Sequence, residues 1–182
     1  MEKYSPETIK DYEQTLNEWR RKGAKMSFIY DYVTDKYRKK INRTSIAAFV
    51  ITSITTLLAL SNLGLNESDY PTTAMVIKGT NAALATGAAI ATGIPRILNW
   101  SQTQNMCQEY LGNVDNLISS VMSEQSLPFR FRTDPEQYII ENKEKYQLIL
   151  DRAPIIPHDD YVESLELYEQ AKARFRNNLV HA

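Results

Sequence analysis

The side chains able to do chemistry are few and scattered. His158-Asp159-Asp160 is the one run of metal-capable groups. A structural or catalytic zinc needs three or four protein ligands, and His181, next to the last residue, is a poor candidate for a third. The run reads as a polar linker and helix cap behind Pro157. Cys107 is the only cysteine. With no nearby histidine to draw off its proton it reads as an inert thiol, and alone it cannot form an internal disulfide. A cytosolic or membrane-bound chain fits that usage better than a small secreted one. Glu141, Glu144, Glu163 and Glu166 lie among lysines and arginines on helical segments, which describes a solvated face. Phe129-Arg130-Phe131-Arg132 reads as a loop whose phenylalanines pack and whose arginines face water, with contact to phosphates or lipid headgroups as the alternative. Gly79, Gly87 and Gly93 have the wrong spacing to cradle a phosphate. The expectation is therefore no enzyme, no cofactor and no metal.

The elements that carry these residues are more informative. Ser45–Leu65 is a 21-residue uncharged run, SIAAFVITSITTLLALSNLGL. As a helix it is about 31 Å long, enough to cross a hydrocarbon core of about 30 Å. Lys39, Lys40 and Arg43 precede it, and Glu67 and Asp69 follow. A second segment, from about Thr72 to Pro95, is rich in Ala, Gly and Thr and carries Lys78 near its start, where the ammonium can snorkel to an interface. Turn formers, among them Gly64, Asn66 and Pro71, separate the two. Tyr70 and Trp100 stand where interfacial aromatic anchors are expected, and the basic residues outside the pair place both termini in the cytoplasm.

In lipid, helices associate through close packing of small residues. Gly79, Ala83, Gly87 and Ala91 recur every four positions and form a helix-packing ladder. Thr52 and Thr56 on the first segment, with Lys78 and Asn81 on the second, are candidates for polar contacts between helices or for a pore lining. The apolarity also fits the buried core of a soluble bundle.

The charge is distributed along the same division. Residues 1–43 hold 11 Lys and Arg against 7 acids, and residues 96–182 hold 9 against 13. Neither balance is basic enough to predict nucleic acid as a partner. Ser5-Pro6-Glu7 marks a helix start, followed by Ile9, Tyr12, Leu16 and Trp19 at helical spacing. Gly23 predicts a break or bend. A long helix is expected from Arg96 to about Glu124, another from Asp134, and a last one capped by Asp159 or Asp160 beyond the APIIP link. The fold class is all-α, with N-terminal amphipathic helices at 1–43, a transmembrane hairpin at 44–95, and a C-terminal helical region at 96–182 that packs with the first.

This layout resembles the SLATT family of two-transmembrane proteins. The Trp-containing segment LNEWRRKGAKMSFIYDYVTDKYRKK, the paired spans, and a helix ending in LILDRAPIIPHDDY carry the likeness. It is strongest to the branch found in large DNA viruses, in which an "AP-x-IP" link, here Ala153-Pro154-Ile155-Ile156-Pro157, recurs. The resemblance implies a membrane protein with a helical cytosolic part. Bacterial members are thought to act as pore-forming effectors coupled to sensor domains, and this chain carries no such domain. It implies for a viral member a place in the virion's internal membrane, tied to the capsid. Three functions follow as expectations: a membrane-anchored, self-associating structural protein that binds lipid and a protein layer; an oligomeric pore; or a soluble helical interaction module.

Overall fold

The computed structural model describes residues 4–63 and 71–180. All regular structure among them is helical: α1 (Pro6–Leu63), α2 (Pro71–Ile97), α3 (Trp100–Ser126), a short 3-10 turn (Phe129–Phe131), α4 (Pro135–Asp151) and α5 (His158–Val180). The chain divides into two units. One comprises residues 1–35 with 103–182, the other residues 36–102.

α1 begins where the Ser-Pro-Glu signal places it. The Thr8 amide donates to Ser5 Oγ at 3.1 Å, which satisfies one of the amides that a helix start leaves unbonded. Gly23 does not break the helix. It is buried, and a Cβ built there would lie 2.8 Å from Ile118 Cγ1 of α3. Glycine thus serves a close approach of two helices, at a cost of about 1 kcal/mol in helix propensity relative to alanine.

The first unit has a core of Tyr12, Leu16 and Trp19 from α1, Leu117 and Val121 from α3, and Tyr138 and Tyr146 from α4. Trp19 and Tyr146 stack with ring centroids 5.0 Å apart. Further along α1, Tyr30 packs on Tyr110 at 4.5 Å, and its hydroxyl donates to the Pro154 carbonyl at 3.0 Å. That bond holds the extended APIIP link, whose prolines leave few amides for bonding of its own. Burial pushes the Tyr30 phenol up to about 12, with the neighbouring Tyr110 adding to the shift.

Two local expectations change. Asp134 caps α4, accepting from the Glu136 and Gln137 amides. α5, by contrast, starts at His158, so Asp159 and Asp160 lie inside its first turn, where acids complement the helix dipole, and neither is the cap. In the 126–134 loop only part of the expected segregation holds. Phe129 packs edge-on to Tyr4 and Tyr12, while Phe131 is 63% exposed. Arg132 is largely buried, paired with Glu13, and donates to the Leu127 and Gln125 carbonyls, each at 2.8 Å. A planar guanidinium with several donors can close a loop onto its own carbonyls in this way.

Candidate membrane hairpin

In the second unit, α1 from residue 36 onward and α2 run antiparallel. Thr55 and Ala59 of α1 meet Asn81 of α2, while Ile41 and Ser45 share a cavity lining with Ala91 and Pro95. From residue 44 onward the partly or fully covered positions of α1 include Thr44, Ala48, Ile51, Thr55 and Leu58, with Ser53 also half-buried; on α2 they include Ala74, Ile77, Asn81, Leu84, Ala88 and Ala91. Alternate steps of three and four residues are the signature of shallow-angle helix packing.

Asn81 supplies the polar contact across this seam. With its carboxamide oriented by its surroundings, it donates to the Thr55 carbonyl at 3.2 Å and accepts from the Ala59 amide at 3.3 Å. It therefore clasps both ends of one backbone hydrogen bond of α1. The threonines behave otherwise. Thr52 and Thr56 are exposed, and their hydroxyls donate to the Ala48 and Thr52 carbonyls of their own helix at 2.8 and 2.9 Å. Thr55, Thr80 and Thr86 bond back in the same way. Such back-bonding consumes the hydroxyl donor inside the helix. Lys78 is exposed in the second turn of α2.

The first half of the ladder faces away from α1. Gly79 and Ala83 are exposed, and Gly87 and Ala91 are at the margin of the seam. No atom lies within 4 Å of a Cβ built at Gly79 or at Gly87. Tyr70 lies outside the described residues. Trp100 opens α3, and the Lys40 ammonium lies over its ring, 5.6 Å from the centroid and 4.7 Å from that of Tyr37. These are cation–π distances.

α1 and α2 are each long and apolar enough to cross a membrane, and only 6% of either apolar window is buried. Ile46 (64% exposed), Phe49 (73%), Leu57 (64%) and Met75 (78%) stand on the outer surface. A helix serving as the core of a soluble bundle hides its apolar residues; these display them.

Two features of this unit lie beyond what pattern alone revealed. The sequence places the next helix from Arg96, whereas α2 continues to Ile97 and the chain turns at Leu98-Asn99, with Asn99 in the left-handed region at φ 52°. Asparagine tolerates that conformation better than most residues, and an asparagine just past a helix end is a local signal for such a turn. The turn helps shape a cavity of about 440 Å³ at the foot of the pair. Elsewhere, Cys107 is fully buried, and desolvation pushes its thiol up to about 11. Among the described residues no three His, Cys, Asp or Glu side chains are grouped to hold a metal ion.

Comparison with protein-family models, with curated proteins and with solved structures finds no match.

Proposed function

We propose that the chain is a membrane-anchored structural protein without catalytic activity, held by a hairpin of α1 and α2 and self-associating through the outward ladder. The observation that carries this is the exposure of the two apolar windows. Moving each exposed large apolar side chain from water into hydrocarbon contributes roughly 1.5–3 kcal/mol, and several such residues lie on each helix. Lys36, Arg38, Lys39, Lys40 and Arg43 before the first span and Arg96 after the second support an orientation with both termini in the cytoplasm. The aromatic-rich helical unit of residues 1–35 and 103–182 then presents its surface to a protein layer. The family resemblance supplies a specific version, in which the membrane is internal to a virion and the layer is its capsid.

Fractionation tests the anchor. The protein should stay in the membrane pellet through high-salt and alkaline carbonate washes and enter solution only with detergent. Recovery in aqueous buffer alone would return the chain to the soluble-module class. Purified virions containing the protein would support the viral version, and their lacking it would remove that version while leaving the anchor.

A pore is the second reading, supported by Lys78 and the outward Thr52 and Thr56. Their back-bonded hydroxyls are equally at home against lipid, which ranks the pore below the scaffold. Conductance of the reconstituted protein across a planar bilayer decides between them.

A further inference from the structure

We propose that the cavity at the foot of the α1–α2 pair binds the phosphate of an anionic phospholipid headgroup, with Arg96 as the phosphate-binding cation. This rests on the membrane placement proposed above. The cavity is about 440 Å³, and Ser45, Thr92, Arg96, Asn99, Ser101 and Gln102 supply its polar lining. Arg96 is the only charged residue in that lining, and no acid is present. Residues 36–102 contain only two acids, Glu67 and Asp69, both in the segment joining the two helices at their far ends. Among the described residues, no hydrogen bond or ion pair engages the side chains of Arg96, Asn99, Ser101 or Gln102.

Position matters as much as composition. Ser45 opens the first apolar run and Arg96 follows the end of the second, so the cavity sits at the depth where hydrocarbon gives way to headgroups. Ile41, Ala91 and Pro95 supply its apolar lining, and from Ser45 and Ala91 the two helices continue into their uncharged windows. A phospholipid would meet such a site with its phosphate at the polar lining and its ester-linked chains along the apolar helices. The turn at Asn99 lets Ser101 and Gln102 face the same opening as Arg96. A guanidinium presents a planar fork that grips phosphate oxygens two at a time, and hydroxyl and amide donors complete the shell. The basic residues from Lys36 to Arg43 raise the local concentration of anionic lipid without lining the cavity.

The test uses the full-length protein in mild detergent, with phosphatidylglycerol or phosphatidylcholine added and bound lipid read by native mass spectrometry. Wild type should retain phosphatidylglycerol in preference to phosphatidylcholine. Arg96→Gln should weaken that retention about tenfold, the loss of one charge-assisted contact. Arg43→Gln, which removes an equal charge outside the cavity, should leave it within twofold, and Asn99→Gly, which keeps the backbone turn, should reduce it by less than Arg96→Gln. Circular dichroism confirms that each variant is folded. Equal losses for Arg43→Gln and Arg96→Gln, or none for Arg96→Gln, overturn the proposal. Full displacement of the lipid by millimolar inorganic phosphate would also overturn it, by making the site one for free phosphate. Failure of the membrane placement is read separately, as wild-type protein recovered without detergent.

Discussion

The Tyr12 hydroxyl donates to the Glu124 carboxylate at 3.0 Å, joining α1 to the end of α3 across 112 positions of sequence. Glu124 is only 7% exposed and accepts a second bond, at 2.8 Å, from the Thr133 amide in the loop before α4. One buried carboxylate thus ties three segments. Burial and this carboxylate together push the Tyr12 phenol well above its ordinary value. Tyr12→Phe should lower stability by about 1.5–3 kcal/mol, the size of a hydrogen bond to a charged group. Glu124→Ala should cost more, because it leaves both the phenol and the Thr133 amide without their acceptor. Chemical unfolding in detergent, followed by near-ultraviolet circular dichroism, gives both values.

Gly23 offers a test of close packing. Alanine there gains about 1 kcal/mol of helix propensity but sets a methyl group 2.8 Å from Ile118 Cγ1. That contact is shorter than van der Waals distance and involves a carbon near the stem of the side chain. Gly23→Ala should therefore destabilise by about 1–3 kcal/mol, the usual range for overpacking. Ile118→Ala should relieve the clash, so a double-mutant cycle should give a favourable coupling between the two substitutions. Additive effects would show that α1 and α3 do not approach so closely.

The pH dependence follows from Tyr30. Its phenol titrates near 10 when unfolded and is pushed up to about 12 in the fold. Below pH 10 both states are neutral, so the stability associated with the buried, protonated phenol is fully present. As pH rises from 10 through 12 the unfolded chain loses its proton first, and that stability is lost. The decline is of order 1–3 kcal/mol across the window. Tyr30→Phe should start less stable at neutral pH, because the bond to Pro154 is gone, and should then show a shallower alkaline decline. Denaturant midpoints measured between pH 8 and 12 for both proteins check this. Equal slopes would remove Tyr30 as a source of the alkaline sensitivity.

The ladder separates association from folding. Nothing stands within 4 Å of a Cβ at Gly87, so Gly87→Leu should leave the helix content and unfolding midpoint of a single chain nearly unchanged, within about 0.5 kcal/mol. The same substitution should sharply reduce crosslinked oligomers in detergent, because a branched side chain holds neighbouring backbones apart. Unaltered crosslinking would take the ladder out of self-association.

Several features of the fold were legible in the residues. Ser5 and Asp134 cap helices because short oxygen-bearing side chains before a proline carry that signal locally. The apolar windows follow from uncharged length and flanking charge, and the Tyr110, Val114, Val121 face of α3 follows from period alone. What failed depended on tertiary partners. Gly23 reads as a breaker until Ile118 is seen beside it, and Arg132 reads as a solvent-facing charge until Glu13 and two loop carbonyls enclose it. The threonines of the paired helices offered hydroxyls to the neighbouring helix on paper, yet their own carbonyls are nearer. The foot cavity drew on a turn at Asn99, a few residues beyond the Pro95–Arg96 boundary that the sequence marks.

The clasp made by Asn81 also governs direction. Successive helical residues are turned by about 100°, so positions two away, Gly79 and Ala83, lie about 200° round the axis from it. Rotating α2 so that the carboxamide left the seam would strand its polar atoms without these partners, a strongly disfavoured outcome in an apolar environment. Asn81 therefore works as a compass. By fixing which side of α2 meets α1, it fixes which side is left open, and on the proposed membrane placement every copy would present its ladder at the same bearing.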